Sequence, residues 1–139
     1  MKVLFICKYN AGRSRMAEAF FNEFSKENTA LSRGIEPYPD SPSAERGLKG
    51  TIEVMKEVGI KIPYKPGSPV TKEDVEEANL VVVLLDEKQR NILPEYITNS
   101  PKTRYDGVVD SDSRSADFLD QHRANRDKIQ KIVLNLLKQ

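Results

Sequence analysis

The sequence predicts a single doubly wound α/β domain with a central parallel sheet, and three features carry that expectation. The chain opens on an apolar, partly β-branched run, Val3-Leu4-Phe5-Ile6, followed by a polar turn and then a helical pattern. A second run, Leu80-Val81-Val82-Val83-Leu84-Leu85, is apolar without alternation, as in a strand covered on both faces. Amphipathic helical patterns stand between and after these runs, so strands alternate with helices along the chain.

The elements follow in order. Asn10-Ala11-Gly12 supplies turn chemistry after the first strand. Met16, Ala17, Phe20, Phe21 and Phe24 then recur at steps of three and four, one face of a helix. Residues 29–32 read as a short second strand ended by Gly34, and Pro37, Pro39, Asp40, Ser41 and Pro42 mark a loop. A second helix is expected over 44–58, where Leu48, Ile52, Met55 and Val58 share a face and Gly59 stops it. Pro63, Pro66, Gly67 and Pro69 mark the next loop, and Thr71-Lys72-Glu73-Asp74 has the form of a capping box opening a short acidic helix through Ala78. The buried strand 80–85 follows, then a helical stretch near 87–93 ended by Pro94, a weak strand candidate at 105–109, and a final helix from Ser115 onward. Phe118, Ile129, Ile132, Val133, Leu136 and Leu137 form the apolar side of that helix.

At 139 residues the chain fits one domain, spanning 1–139, that can bury a core without staples. Its 22 Lys+Arg against 21 Asp+Glu leave a formal charge of +1, which argues against a broad nucleic-acid surface while leaving room for a local basic pocket. No apolar run is long enough to span a bilayer. The opening run is too short for a secretory leader and no small-residue cleavage site follows it. With one unpaired cysteine, the expectation is a cytoplasmic protein without an internal disulfide or membrane partner. No His/Cys/Asp group has metal-ligand spacing, and Glu73, Asp74, Glu76 and Glu77 suit a helix dipole rather than a metal. His122, beside Arg123 and Arg126, reads as a solvated helix face, and Lys8 and Arg15 read as surface residues or as additions to a basic pocket.

Ligands of such folds bind at the carboxyl ends of the strands, and the single cysteine stands there. It begins Cys7-Lys8-Tyr9-Asn10-Ala11-Gly12-Arg13-Ser14, between the first strand and the first helix. Five intervening residues let the loop curl so that backbone N–H groups of Lys8, Tyr9, Asn10, Ala11 and Gly12 face one oxyanion, reinforced by the positive end of the helix. Arg13 adds a planar fork for two oxygens of a phosphate-like group, and the same field favours a Cys7 thiolate as nucleophile. Ser14 can hydrogen-bond the sulfur. The plainer reading makes Cys7 a core thiol at a strand end and Arg13 a surface residue.

The run from Val3 to Cys7, with Asn10, Arg13-Ser14 and Met16-Ala17-Glu18-Ala19-Phe20, resembles the low-molecular-weight protein tyrosine phosphatase family and its relatives, the thiol-dependent arsenate reductases. The resemblance continues through Ser32-Arg33-Gly34, Glu57-Val58-Gly59-Ile60, Val70 to Asp74 and Ala78 to Val82, nearly the whole chain. Asn10-Ala11-Gly12-Arg13-Ser14 is similar to the loop of single-cysteine arsenate reductases, which implies arsenate as the oxyanion and an external thiol or a redoxin as reductant, with no cofactor bound. Many family phosphatases hold a second cysteine where Gly12 stands, and the thioredoxin-coupled reductases need later cysteines that this chain lacks. Leu85-Asp86 with the Asn91 to Leu93 segment looks more like the phosphatases, whose substrates are phosphate monoesters. The family's proton donor is an Asp-Pro pair before the last helix. Here Val109-Asp110-Ser111-Asp112-Ser113 has no proline, and Asp110 or Asp112 takes that role. The alternative for that stretch is a solvated acidic turn capping the last helix. Tyr9 and Tyr38 are the candidate aromatic walls, and no aromatic residue lies between Asp112 and Phe118. A third reading is a non-catalytic anion-binding regulatory protein on the same fold.

Overall fold

The computed structural model describes residues 1–37 and 42–139. Four strands, β1 (Lys2–Cys7), β2 (Thr29–Gly34), β3 (Leu80–Val83) and β4 (Thr103–Tyr105), form one sheet in the order β2-β1-β3-β4, with every pair parallel. The helices are α1 (Arg13–Phe24), α2 (Pro42–Lys56), α3 (Lys72–Glu77), α4 (Glu95–Thr98) and α5 (Phe118–Leu137), with a 3-10 helix over Glu87–Ile92.

Alternation along β1 explains the layers. Val3, Phe5 and Cys7 pack with Phe20 and Phe21 of α1, Met55 of α2 and Ile129 and Val133 of α5. Leu4 and Ile6 point the other way and pack with Val81, Val83, Val75 of α3 and Ile97 of α4. A strand covered on both faces needs no polar side, so β1 and β3 read as unbroken apolar runs. The strand order reverses between β2 and β3, on either side of β1, and the crevice at such a point is where doubly wound folds bind ligands. The loop after Cys7 occupies it.

Local signals end the helices as expected. Gly59, at φ 79°, closes α2 in a Schellman arrangement, with Ile60 N–H bonded to Met55 O at 3.0 Å and Gly59 N–H to Lys56 O at 3.0 Å. Thr71 Oγ1 accepts from Asp74 N while Asp74 Oδ2 accepts from Thr71 N, so the capping box is reciprocal.

Other boundaries differ from the sequence expectation. The last strand is Thr103–Tyr105 rather than 105–109, although Asp106 and Val108 continue to bond to Val83 O and Leu84 O at 3.0 Å each. The stretch 87–93 is a 3-10 helix, capped by Asp86, with the unforeseen α4 behind Pro94. The last helix starts at Phe118. Ser115 N–H bonds instead to Asp112 O at 3.0 Å and its hydroxyl donates to Asp117, a local turn that competes with helix. Phe24, counted on the buried face of α1, is half-exposed and stacks on Phe20. Among the described residues no helix is long and apolar enough to cross a membrane.

Gly34, paired with Cys7 across β2 and β1, shows how tightly sheet and loop are joined. A Cβ there would lie 2.9 Å from Asn10 Cβ and 3.0 Å from both Asn10 N and Lys8 O, two of them backbone atoms that cannot swing away. Gly34→Ala is therefore expected to lower stability by about 1–3 kcal/mol and to weaken inorganic phosphate binding in the same protein, read by urea unfolding and by isothermal titration. A variant of unchanged stability and affinity would show that the loop yields freely.

Candidate active site

Position 10 sets the loop. Asn10 adopts φ 55°, a left-handed conformation that asparagine tolerates better than other side-chain-bearing residues. Its N–H then donates to Cys7 Sγ at 3.2 Å, its Nδ2 donates to Ser14 Oγ at 2.7 Å, and its Oδ1 accepts from Ser68 N at 2.9 Å. Cys7 Sγ and Ser14 Oγ are 3.0 Å apart. Since the Ser14 oxygen already accepts from Asn10, its one proton is available for the sulfur. The Asn10 N–H and the Ser14 hydroxyl thus both meet Cys7 Sγ.

Arg13 opens α1 and is buried. Its Nη1 donates to Val108 O at 2.8 Å and to Gln89 Oε1 at 2.9 Å, and its Nη2 stands 3.6 Å from Asp110 Oδ2. The guanidinium plane is thereby fixed from the 3-10 helix and from the segment after β4. A cavity of about 450 Å³ opens over the loop, lined by Cys7, Tyr9, Ala11, Gly12 and Arg13 on one side and by Asp110, Phe118 and His122 on the other. Lys8 Nζ lies 4.9 Å from the Tyr9 ring centroid.

The two candidate acids part company. Asp110 faces Arg13, and its burial pushes the carboxyl above the usual aspartate range against the opposing pull of the Arg13 charge. Asp112 also borders the cavity, but it is exposed and its Oδ1 accepts from Arg114 N at 3.0 Å, with Arg114 Nε at 3.6 Å. Tyr38 lies outside the described residues.

Three basic residues are placed otherwise than the sequence suggested. His122 is buried, not solvated. Its Nε2 is 2.8 Å from Thr51 Oγ1 of α2, its Nδ1 is 2.9 Å from Ser111 Oγ, and burial, aided by the Arg13 charge, lowers it to about 4. Arg126, also buried, donates to Val54 O near the end of α2 and to Glu57, each at 2.8 Å. Arg15 is buried beneath the loop, with Nε bonded to Asn10 O at 2.5 Å and Nη2 to Lys65 O at 2.6 Å. A signal for the first two was present. Residues 122, 126, 129, 133 and 136, all buried, run at alternating steps of four and three, so His122 and Arg126 continue the apolar stripe of α5. Arg15 follows Ser14 within the loop motif and has no such periodic mark.

Among the described residues no three His, Cys, Asp or Glu side chains gather to hold a metal.

Comparison with known proteins places the chain in a family. The model of the family described as low molecular weight phosphotyrosine protein phosphatase matches residues 2–139. A glutaredoxin arsenate reductase of Synechocystis sp. is 30% identical over 137 residues, 98% of this chain and 95% of that protein. An arsenate reductase of Staphylococcus aureus (strain Newman) is 33% identical over 104 residues, 74% and 73%. Among solved structures, an arsenate reductase in the phosphate-binding state superposes with a TM-score of 0.76 at 28% identity, covering 99% of this chain and 96% of that one. A mutant of YwlE from Bacillus subtilis reaches 0.78 at 22% identity over 99% and 97%, a likeness of fold.

The lowered proton affinity of His122 has a stability consequence. The unfolded chain protonates its histidine near 6.5, while the folded state resists until about 4. Between those values the unfolded state binds the extra proton, so stability falls as the pH falls. His122→Phe should remove that part of the acid slope, measured as urea midpoints from pH 7 downward. Equal acid losses in wild type and variant would mean that the ring is not their source.

Proposed function

Because the chain belongs to the low-molecular-weight phosphotyrosine protein phosphatase family, we propose that it is a cysteine-dependent enzyme in which the Cys7 thiolate attacks the central atom of a tetrahedral oxyanion held by residues 7–14, and that arsenate is that anion. The observation that carries the reading is the convergence of Asn10 N–H and the Ser14 hydroxyl on Cys7 Sγ at the floor of a cavity bordered by Arg13. In this reading Arg13 and the loop amides of Lys8, Tyr9, Ala11 and Gly12 bind the oxygens, while the Asn10 N–H, expected from the sequence to join them, is turned onto Cys7 Sγ instead, and charge developing on the oxygens is met by donors already in place. The S–As bond forms as one As–O bond breaks, and Asp110 gives that oxygen its proton, so that it leaves as water. Asp110 rather than Asp112 takes that part in this reading because it faces Arg13, and burial shifts its carboxyl upward from the usual aspartate range.

No second cysteine exists in the chain, so reduction needs an external thiol or a redoxin. Cys7 is only 2% exposed, which directs that thiol to the arsenic rather than to the sulfur. Its attack forms a new S–As bond and expels the Cys7 thiolate. A second thiol then attacks the sulfur of the released adduct, leaving a disulfide and arsenite. The arsenic gains two electrons and two thiols lose them.

A second reading is favoured by the segment after β3. It carries Gln89, which holds Arg13, and its Leu85-Asp86 and Asn91 to Leu93 resemble the phosphatases. With a phosphate monoester, Cys7 forms the S–P bond, Asp110 protonates the departing ester oxygen, and water attacks the phosphocysteine with Asp110 as base. A cytoplasmic setting suits either reading, since both need a free thiol.

Arsenite production should depend on added thiol and disappear in Cys7→Ser. Asp110→Asn should lower turnover roughly 10²- to 10⁴-fold, Asp112→Asn should leave it near wild type, and Arg13→Lys should cost roughly 10²- to 10³-fold. Hydrolysis of an aryl phosphate without thiol, lost in Cys7→Ser and accompanied by no arsenite, would replace the first reading by the second. Turnover that survives Cys7→Ser would sink both.

A further inference from the structure

His122 is the only histidine of the chain, and the site as described so far gives it no task. Both ring nitrogens are engaged. Thr51 Oγ1 lies 2.7 Å from Ala11 O and 2.9 Å from Gly47 O, and both carbonyls can only accept. The Thr51 proton is therefore committed to a carbonyl, and toward the ring Thr51 can only accept. Nε2, at 2.8 Å, must carry the hydrogen. A neutral ring then leaves Nδ1 as an acceptor, and Ser111 donates to it across 2.9 Å while its own oxygen accepts from Asn125 Nδ2 at 2.9 Å. Asn125 Nδ2 also bonds to Val109 O at 2.8 Å, which pins the segment on the other side of Asp110. One tautomer satisfies the whole chain from Ser111 through His122 and Thr51 to Ala11, with every donor running the same way.

The two ends of that chain lie in the two halves of the site. Ala11 belongs to the oxyanion loop, and Ser111 follows Asp110. Packing holds the ring at this point. Phe118 lies 4.7 Å away between ring centroids, and a Cβ on Gly12 would come within 3.0 Å of His122 Cε1. The ring thus fills space that a side chain at position 12 would need.

We propose that His122 is a positioning residue that fixes the distance between the oxyanion loop and Asp110 through its bonds to Thr51 and Ser111. The inference rests on the reading of Asp110 as proton donor. Its two ends have separable effects. The Ser111 bond holds the acid and acts on turnover, whereas the Thr51 bond holds the Ala11 carbonyl and acts on anion binding.

The test uses the whole protein. Nitrogen-15 NMR of the lone histidine near neutral pH should show the neutral ring with hydrogen on Nε2, and hydrogen on Nδ1 would overturn the proposal. Ser111→Ala should lower kcat roughly tenfold to a hundredfold through misplacement of the acid, with the dissociation constant of inorganic phosphate unchanged. Thr51→Val, close in shape, should weaken phosphate binding. His122→Asn, which keeps an acceptor near the Nδ1 position, should recover more kcat than His122→Phe. In an Asp110→Asn background, Ser111→Ala should have no further effect on kcat. Equal changes of kcat and phosphate affinity in both single variants would mean a merely structural ring and overturn the proposal. If Asp110→Asn lowers kcat and Ser111→Ala does not, the inference falls alone. If Asp110→Asn has no effect, it falls together with the proton-donor reading.

Discussion

The site depends on one backbone conformation, the left-handed turn at Asn10. Rotating that residue to φ 55° turns its N–H onto Cys7 Sγ and leaves its carbonyl to Arg15 Nε, while its side chain spans from Ser14 Oγ to Ser68 N. Four bonds from one residue join Cys7, the start of α1 and the loop before α3. Glycine would take the conformation at no steric cost but would forfeit the two side-chain bonds. Larger residues would pay for the conformation without supplying an amide of the right length. The loop's curvature is thus a property of one buried side chain and its partners. The backbone behind it, packed against Gly34, leaves no slack for a different path.

That constraint explains how a chain of net charge +1 can concentrate positive charge at one loop. Both guanidiniums near the loop are buried and directed. Arg13 is fixed by Gln89 and Val108 O, and Arg15 lies beneath, bonded to Asn10 O and Lys65 O. Charges withdrawn from water act over short distances at higher strength than exposed ones, and bonds to neutral carbonyls orient them without cancelling them. Among the described residues Asp110 is the carboxylate that pairs with Arg13, and burial raises its proton affinity even with that cation beside it. The pair therefore combines a fixed cation with an acid inclined to keep its proton, a combination suited to binding an anion and protonating what leaves it.

Much of this was legible in the sequence for physical reasons. Cys7, Arg13 and Ser14 declare themselves because a loop of fixed length between strand and helix leaves few arrangements of its side chains. β1 and β3 declare themselves because a doubly covered strand admits no polar residue. Legibility fails where partners are set by tertiary contact alone. Asp110 and Asp112 sit two residues apart in an irregular segment, and only the path of the chain past Leu84 and Val108 decides which one meets Arg13. β4 is hard to place because it has three residues, two partly buried and Tyr105 exposed, with weak alternation. His122 and Arg126 are hard to place from the sequence because polar side chains on an apolar stripe resemble an interruption. Here they are satisfied core groups, one joining the site and the other joining α5 to α2.

The burial of Cys7 also narrows what separates the two candidate reactions. A sulfur 2% exposed, with Asn10 and Ser14 already against it, is poorly placed for in-line approach by a second sulfur. The central atom of a bound oxyanion would sit outward of the sulfur, toward the cavity mouth. On the proposed reading, whatever resolves the thiol adduct therefore meets that atom first, in a cavity that Asp110 also lines. Arsenate transfer to a thiol and phosphate transfer to water then become one reaction with two acceptors. On the proposed reading, Cys7, the loop of residues 7–14 and Asp110 serve both. Selection between them falls to the strength of the attacking nucleophile and the lability of the bond to Cys7, a chemical difference between arsenic and phosphorus that the scaffold need not encode.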